Sequence, residues 1–295
     1  MLKKLLITSL LVVMSLPTYA ADDIPVNADL GKPGEPARVP KDNEFKVCAD
    51  QDNMPYSNRE GEGFENKIAE VLAADLGKEL SYQFWHDRFG FIRNTLKAMR
   101  CDVIIGTNTT YDAVNTTKPY YRAGHVWIYR KDSGYDIKDW NSPDLRKAII
   151  GVHDKSPITV ALDANNLMIN AKPYRIQRNL RESPGKIVHD LANGDTDVVI
   201  AWGPIGGYYA KQSKVELVVV PIPEYANENT SLTGKTYWNI SVGVRKKDDA
   251  RRDMIEAALD RNKDKIQKIM SDYGIPVIEP VYEDRLDGYK RHKEK

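Results

Sequence analysis

Two carboxylates, Asp50 and Asp52, stand two positions apart in the stretch Cys48-Ala49-Asp50-Gln51-Asp52-Asn53-Met54-Pro55-Tyr56-Ser57-Asn58. Alternate carboxylates can ligate a hard cation. Counted from Asp50, however, a calcium loop would need Gly at its sixth place and Glu at its twelfth, where this chain has Pro55 and Gly61. Turn formation accounts better for both acids. The histidines, His86, His125, His153, His189 and His292, show no ligand spacing and no Cys or Glu placed as in a zinc motif. Neither a metal site nor a catalytic residue is predicted, because no nucleophile stands beside a base. Gly203-Pro204-Ile205-Gly206-Gly207 lacks the Lys-Ser/Thr of a phosphate loop. His153-Asp154-Lys155-Ser156-Pro157 follows a strand and opens a helix, so its N–H groups, with Lys155, can receive an anion. Trp85, Arg88, Tyr111, Tyr121, Trp202 and Trp238 fall near strand ends or loops. They either wall a cleft that stacks a planar ligand or partner side chain, or simply pack the surface. Asp50, Tyr56, Asn58 and Thr107 are the polar candidates in the same loops.

These residues need elements to hold them. Phe45 to Ala49 is an apolar run that reads as a strand, which Pro55 forbids from continuing. Glu65 to Leu76 puts Ile68, Val71, Leu72 and Leu76 on one helical face and stops at Gly77. Leu80–Trp85 is expected as a strand, Arg93–Met99 as a helix and Asp102–Gly106 as a strand. That alternation implies a parallel sheet, whose ligands lie at the carboxyl ends of the strands, where the loop Asp50–Gly63 sits. The pattern restarts with a strand at Ala148–Val152, a helix at Thr159–Leu167, a weak strand at Arg175–Gln177, a helix at Pro184–Leu191 and a strand at Asp197–Ala201. Gly206–Gln212 (helix), Leu217–Pro221 (strand) and Tyr237–Arg245 (strand) follow, and Ala250–Tyr273 reads as one long amphipathic helix. Asp195-Thr196-Asp197-Val198-Val199-Ile200 echoes Arg100-Cys101-Asp102-Val103-Ile104-Ile105. The expected architecture is α/β: two lobes with a hinge and a central cleft, lobe I from 45–130 plus 238–295 and lobe II from 131–237.

Met1 to Ala20 has Lys3 and Lys4, an apolar core and Thr18-Tyr19-Ala20, the pattern of a cleaved secretory signal whose core is too short to span a bilayer. Residues 21–44, with Pro25, Pro33, Pro36 and Pro40, form an extended lead-in. The signal holds two of the 43 basic residues and no acid, so the mature chain has 41 against 42, a formal charge of −1. That balance argues against nucleic acid and membrane surfaces as partners. The two cysteines, Cys48 and Cys101, are not spaced as a redox pair. In an oxidising compartment, and on neighbouring strands, they are expected to bridge.

With these residues in view, Pro55-Tyr56-Ser57, Gly63-Phe64-Glu65, Cys101 to Gly106, Lys118-Pro119-Tyr120-Tyr121 and Asp197 to Tyr209 resemble the periplasmic solute-binding proteins of the polar amino-acid group, type II in fold. Counting back from Pro119 and Pro204, the arginine and aspartate that hold an amino acid in that group fall at Thr110 and Trp202. A zwitterionic amino acid would lose both anchors and is rejected as ligand. A narrower resemblance, carried by Val47 to Asn58, Gly61 to Asn66, Gly90 to Leu96, Arg100 to Val103, Tyr237-Trp238-Asn239-Ile240 and Tyr273-Gly274-Ile275-Pro276, is to the MxaJ/XoxJ accessory family. It implies a periplasmic protein without a cofactor of its own, serving a quinoprotein (PQQ) methanol dehydrogenase in methanol oxidation. Maturation or activation of that enzyme is the implied role, and a small-molecule ligand in the cleft is a further expectation. The alternatives are the binding protein of an ABC transporter for a small polar solute that is not an amino acid, or an enzyme on the same scaffold.

Overall fold

The computed structural model describes residues 41–86, 90–175, 182–223 and 236–280, all within the compact unit Pro36–Lys295. The expected signal segment, the lead-in up to residue 40, Arg88 and most of the expected strand at Arg175–Gln177 lie outside the described residues.

The first sheet section is built on β1 (Glu44–Ala49), which pairs in parallel with β4 (Glu79–Phe84) and β5 (Val103–Asn108). A two-stranded ribbon, β2 (Asp52–Asn53) with β3 (Ser57–Asn58), follows β1 and leads into α1 (Phe64–Asp75). Asn66 fixes that entry, its Oδ1 accepting both Gly63 N–H and Asn58 N–H at 3.1 Å. The helix buries Ile68, Ala69, Leu72 and Ala73 against Phe45, Val47, Val103 and Ile105. Ile68 and Leu72 each contribute roughly 2 kcal/mol by leaving water. Among the described residues of the second crossover stands a four-residue helix, α2 (Phe91–Asn94), shorter than the helix expected over Arg93–Met99. Thr95 ends it: its buried Oγ1 donates to Phe91 O at 2.6 Å, and Met99 takes a left-handed backbone, φ 56°.

After β6 (Asn115–Thr116) the chain enters β7 (Tyr121–Arg130), which serves both sheet sections. Tyr121 to Gly124 pair antiparallel with β12 (Tyr237–Val244), beside β5. His125 to Tyr129 pair with β10 (Val198–Trp202), and Val126 to Arg130 with β11 (Leu217–Pro221). The second section repeats the first: β8 (Ile150–His153) is flanked in parallel by β9 (Ala171–Tyr174) and β10, with α3 (Ile158–Ala164) and α4 (Lys186–Asn193) between them. The strand order β4-β1-β5-β12 is mirrored by β9-β8-β10-β7, each section closed by an antiparallel strand. The second section packs Trp127, Ile150, Leu162, Val198 and Ile200 on one face and Ile128, Ile187, Leu191 and Val199 on the other.

α5 (Gly203–Gln212) leaves β10, and α6 (Asp249–Arg261) and α7 (Lys263–Asp272) complete the first section. One unbroken helix was expected over Ala250–Tyr273. Asn262 interrupts it, because its buried amide donates to Ala258 O and to Asp75 Oδ1, both at 2.9 Å, and pins the bend onto α1. Beyond α7 the chain returns to the second section. A Cβ at Gly207 would strike Gly274 O, so only glycine lets α5 come this close. Tyr208 stacks on Tyr273 at 5.9 Å, and Lys211 Nζ donates to Asp272 O at 2.7 Å. Among the described residues no helix is long and apolar enough to cross a membrane.

Candidate functional site

A cleft of about 1350 Å³ opens where the carboxyl ends of the parallel strands of both sections meet. From β1 and its loop come Ala49, Asp50, Tyr56 and Ser57; from β5 come Gly106, Thr107 and Asn108. The second section supplies His153 at the end of β8 and Trp202 at the end of β10, and β7 and β12 lay Tyr121, His125 and Trp238 across the floor. Strand ends gather there because the ends of a parallel sheet are where its crossover loops are free to carry ligand groups.

Asp50 is buried behind the first loop. Its Oδ1 accepts Asp52 N–H at 3.0 Å, and its carbonyl accepts Ser57 Oγ–H at 2.8 Å. His86 Nδ1 lies 3.7 Å from the same carboxylate, while His86 Nε2 meets Gln51 Nε2 at 2.6 Å. Behind it, Arg59 donates to Gln51 Oε1 at 2.6 Å and lies over the Phe84 ring. Glu65, in the first turn of α1, lays its carboxylate over Gly106, where any Cβ would displace it. Burial pushes the Tyr120 phenol well above its ordinary range and the Glu65 charge adds to this; at Tyr121 the neighbouring Tyr120 and Tyr56 contribute after burial. Both phenols stay protonated, neutral donors.

Three aromatic rings form the floor. Trp202 and Trp238 meet at 5.5 Å and 69°, and His125 stands edge-on to each, at 5.5 and 6.0 Å. Edge-to-face geometry places the positive rim of one ring on the negative face of the next. Burial lowers the His125 pKa to about 4, against a weaker opposing bond from its Nδ1 to Thr236 O at 3.3 Å. Burial also lowers the pKa of His153. Its Nε2 is buried with no hydrogen-bond partner among the described residues.

Asp50, Tyr56, Thr107, Tyr111, Tyr121, Trp202 and Trp238, singled out in sequence, all line this cleft, with Tyr111 exposed near its rim. Asn58 does not: its amide is spent within the loop, donating to Glu62 Oε2 at 2.9 Å and accepting Glu62 N–H at 2.7 Å. Trp85 packs with Phe91 and Leu96 around the disulfide, behind the wall. Lys155 is exposed and does not line the cleft, although Ser156 and Pro157 do. Cys48 and Cys101 form the disulfide, their Cα atoms 5.4 Å apart on adjoining ends of β1 and β5. Glu65, Arg93 and His125 line the cleft without having been singled out as site residues, and His153 lines it although the sequence pointed only to the backbone of its segment and to Lys155. His125 was hidden in an apolar run, whereas Glu65 stood in the Gly63-Phe64-Glu65 motif. Among the described residues, no three His, Cys, Asp or Glu side chains converge as a metal site.

Residues 45–275 match the model of the bacterial extracellular solute-binding proteins, family 3. The MoxJ protein of Methylorubrum extorquens is 29% identical over 254 residues, spanning 82% of this chain and 84% of its own. The crystal structure of MxaJ from Methlophaga aminisulfidivorans superposes with a TM-score of 0.71 at 30% identity, covering 79% of this chain and all of that one. That of the periplasmic binding protein XoxJ from Methylobacterium extorquens gives 0.67 at 32%, over 80% of this chain and all of that one. On these matches the chain belongs to the family 3 bacterial extracellular solute-binding proteins and, within them, to the MxaJ/XoxJ group.

Proposed function

We propose that the protein is a periplasmic accessory protein of a PQQ-dependent methanol dehydrogenase. In this reading it is exported by cleavage after Ala20, binds the dehydrogenase through the cleft to assist its maturation or activation, and catalyses no reaction itself. The observation that carries this is Trp202. Counted back from Pro204, it falls where the resemblance to the amino-acid receptors puts the aspartate for the ligand ammonium, and it packs there with Trp238 and His125 as an aromatic floor. Thr110, at the place of the carboxylate-binding arginine, is exposed and turned back onto Asn108 Oδ1 at 3.0 Å. Half-buried tryptophans beside a wide cleft are what a protein partner anchors on.

The mechanism is a two-lobed clamp hinged on β7, where pairing changes partner between Gly124 and His125. A partner that prefers one lobe arrangement biases an equilibrium of a few kcal/mol. Trp202→Ala and Trp238→Ala should each weaken capture of the purified dehydrogenase at least about tenfold, as truncation of a central anchor does, with circular dichroism unchanged. Normal capture by both variants would sink the cleft reading.

A further inference from the structure

We infer that the seam between α5 and the segment 271–278 is a latch. It holds the two sheet sections in the arrangement described above, and in that arrangement the cleft receives its partner. The second half of this rests on the cleft being the partner's site; the first does not.

The seam joins the sections apart from the β7 crossing. Gly203, Gly207 and Lys211 recur every four residues and so share one face of α5. A Cβ at Gly203 would meet Gly124 O at 2.7 Å and Pro276 at 3.1 Å, and one at Gly207 would come within 2.1 Å of Gly274 O. One turn further on, Lys211 Nζ donates to Ser271 O at 3.2 Å and to Asp272 O at 2.7 Å. These are among the last carbonyls of α7, which the end of a helix leaves without partners and which favour a cation. Tyr208 stacks on Tyr273 at 5.9 Å and 17°, and Tyr273 in turn donates to Glu62 O and meets Phe64 at 6.3 Å. Past Pro276 the segment is fastened to β7. Arg122 and Ile278 exchange both backbone bonds at 3.1 Å, two residues before the pairing changes at Gly124.

The segment is therefore anchored to the first section at both ends, and α5 leans on its middle. Turning the second section about β7 carries α5 along, because Tyr209 is buried among Ile187, Val188 and Val199. Gly203 and Gly207 would then slide across Pro276 and Gly274, the Tyr208–Tyr273 stack would part, and Lys211 would leave two carbonyls. Close-packed surfaces of this kind pass between discrete arrangements rather than deforming gradually. Gly207, Tyr208, Lys211 and Tyr273 lie outside the cleft lining, yet α5 reaches the cleft through Trp202 and Ile205 at its start. Unlatching lowers the fraction of molecules in the competent arrangement, and the apparent affinity falls by that fraction.

The test uses the mature chain with spin labels on Glu60→Cys and Asp163→Cys, exposed positions on the first and second sections. The native bridge ties up Cys48 and Cys101, so the label goes to the introduced thiols. Double electron–electron resonance on this parent should give one narrow distance. Two variants break the latch differently. Gly207→Ala drives a Cβ into Gly274 O although alanine is the better helix former, and Tyr208→Ala with Lys211→Met removes the stack and both bonds without adding bulk. Each should add a second distance population and weaken calorimetric binding to the purified dehydrogenase about tenfold, as a competent fraction of about a tenth requires, with circular dichroism unchanged. A parent already divided between two distances, or both variants keeping the parent's single distance, overturns the latch. A second population with unaltered affinity overturns its part in binding. Failure of the parent to bind the dehydrogenase refutes the accessory function, while the distances still decide the latch.

Discussion

Replacing His125 by Phe should flatten the acid limb of the protein's stability. The imidazole is wedged between Trp202 and Trp238 and titrates at about 4 in the fold, against 6.5 for an ordinary histidine. Burial is the main cause, and nearby His153 adds to it. Between those values the unfolded chain binds a proton that the folded chain refuses, so protonation favours unfolding. The stabilisation is therefore fully present above about pH 6.5 and is lost as pH falls towards 4. Linkage with these two values gives a loss of about 2 kcal/mol between pH 8 and pH 5 from this group alone. Urea unfolding at both pH values measures it. His153, shifted the same way, also lowers the wild-type stability, but it is common to both proteins and cancels in the comparison. Phe fills similar volume and keeps the edge-to-face packing, so the variant should lose about 2 kcal/mol less than the wild type on acidification. Equal losses would refute the buried neutral imidazole.

Removing the disulfide with Cys48→Ala and Cys101→Ala together should cost about 4 kcal/mol, the chain-entropy value for a bridge spanning 53 residues, read by the same urea titration. No change in midpoint would show the bridge absent or the two strands held equally well without it. Arg245→Met should cost about 3 kcal/mol: the guanidinium donates to Cys101 O at 2.5 Å and to Asp102 Oδ1 at 3.0 Å, and Asp102 is 1% exposed. Because that loss attends a buried carboxylate, the further change Asp102→Asn should recover part of it; no recovery would contradict the ion pair's role.

The fold was largely legible because its signals are local and repeated. Apolar runs such as Val103-Ile104-Ile105 and Val198-Val199-Ile200 are too short for helices, and the periodic stretch from Phe64 ends at Gly77, so the strand–helix alternation follows directly. What failed were terminations written in side-chain hydrogen bonds. Thr95 and Asn262 look unremarkable in a helical pattern, and only their buried bonds to Phe91 O, Ala258 O and Asp75 reveal that each stops a helix. The site divides the same way. Trp202, Trp238 and Asp50 sit at predicted strand ends, where cleft residues are expected, and Lys155 does too but points to solvent. His125 sits where a strand crosses between two sheet sections, and Glu65 acquires its place only because β5 carries Gly106 opposite α1. Both depend on contacts between distant segments, which periodicity does not encode.

The accessory role is tested by calorimetric titration of residues 21–295 into purified quinoprotein methanol dehydrogenase, with metal-free and metal-loaded enzyme side by side. A saturable heat that Trp202→Ala diminishes is expected, with stronger binding to the metal-free enzyme if the role is maturation. Absence of binding to either form would contradict it and leave a solute receptor in its place.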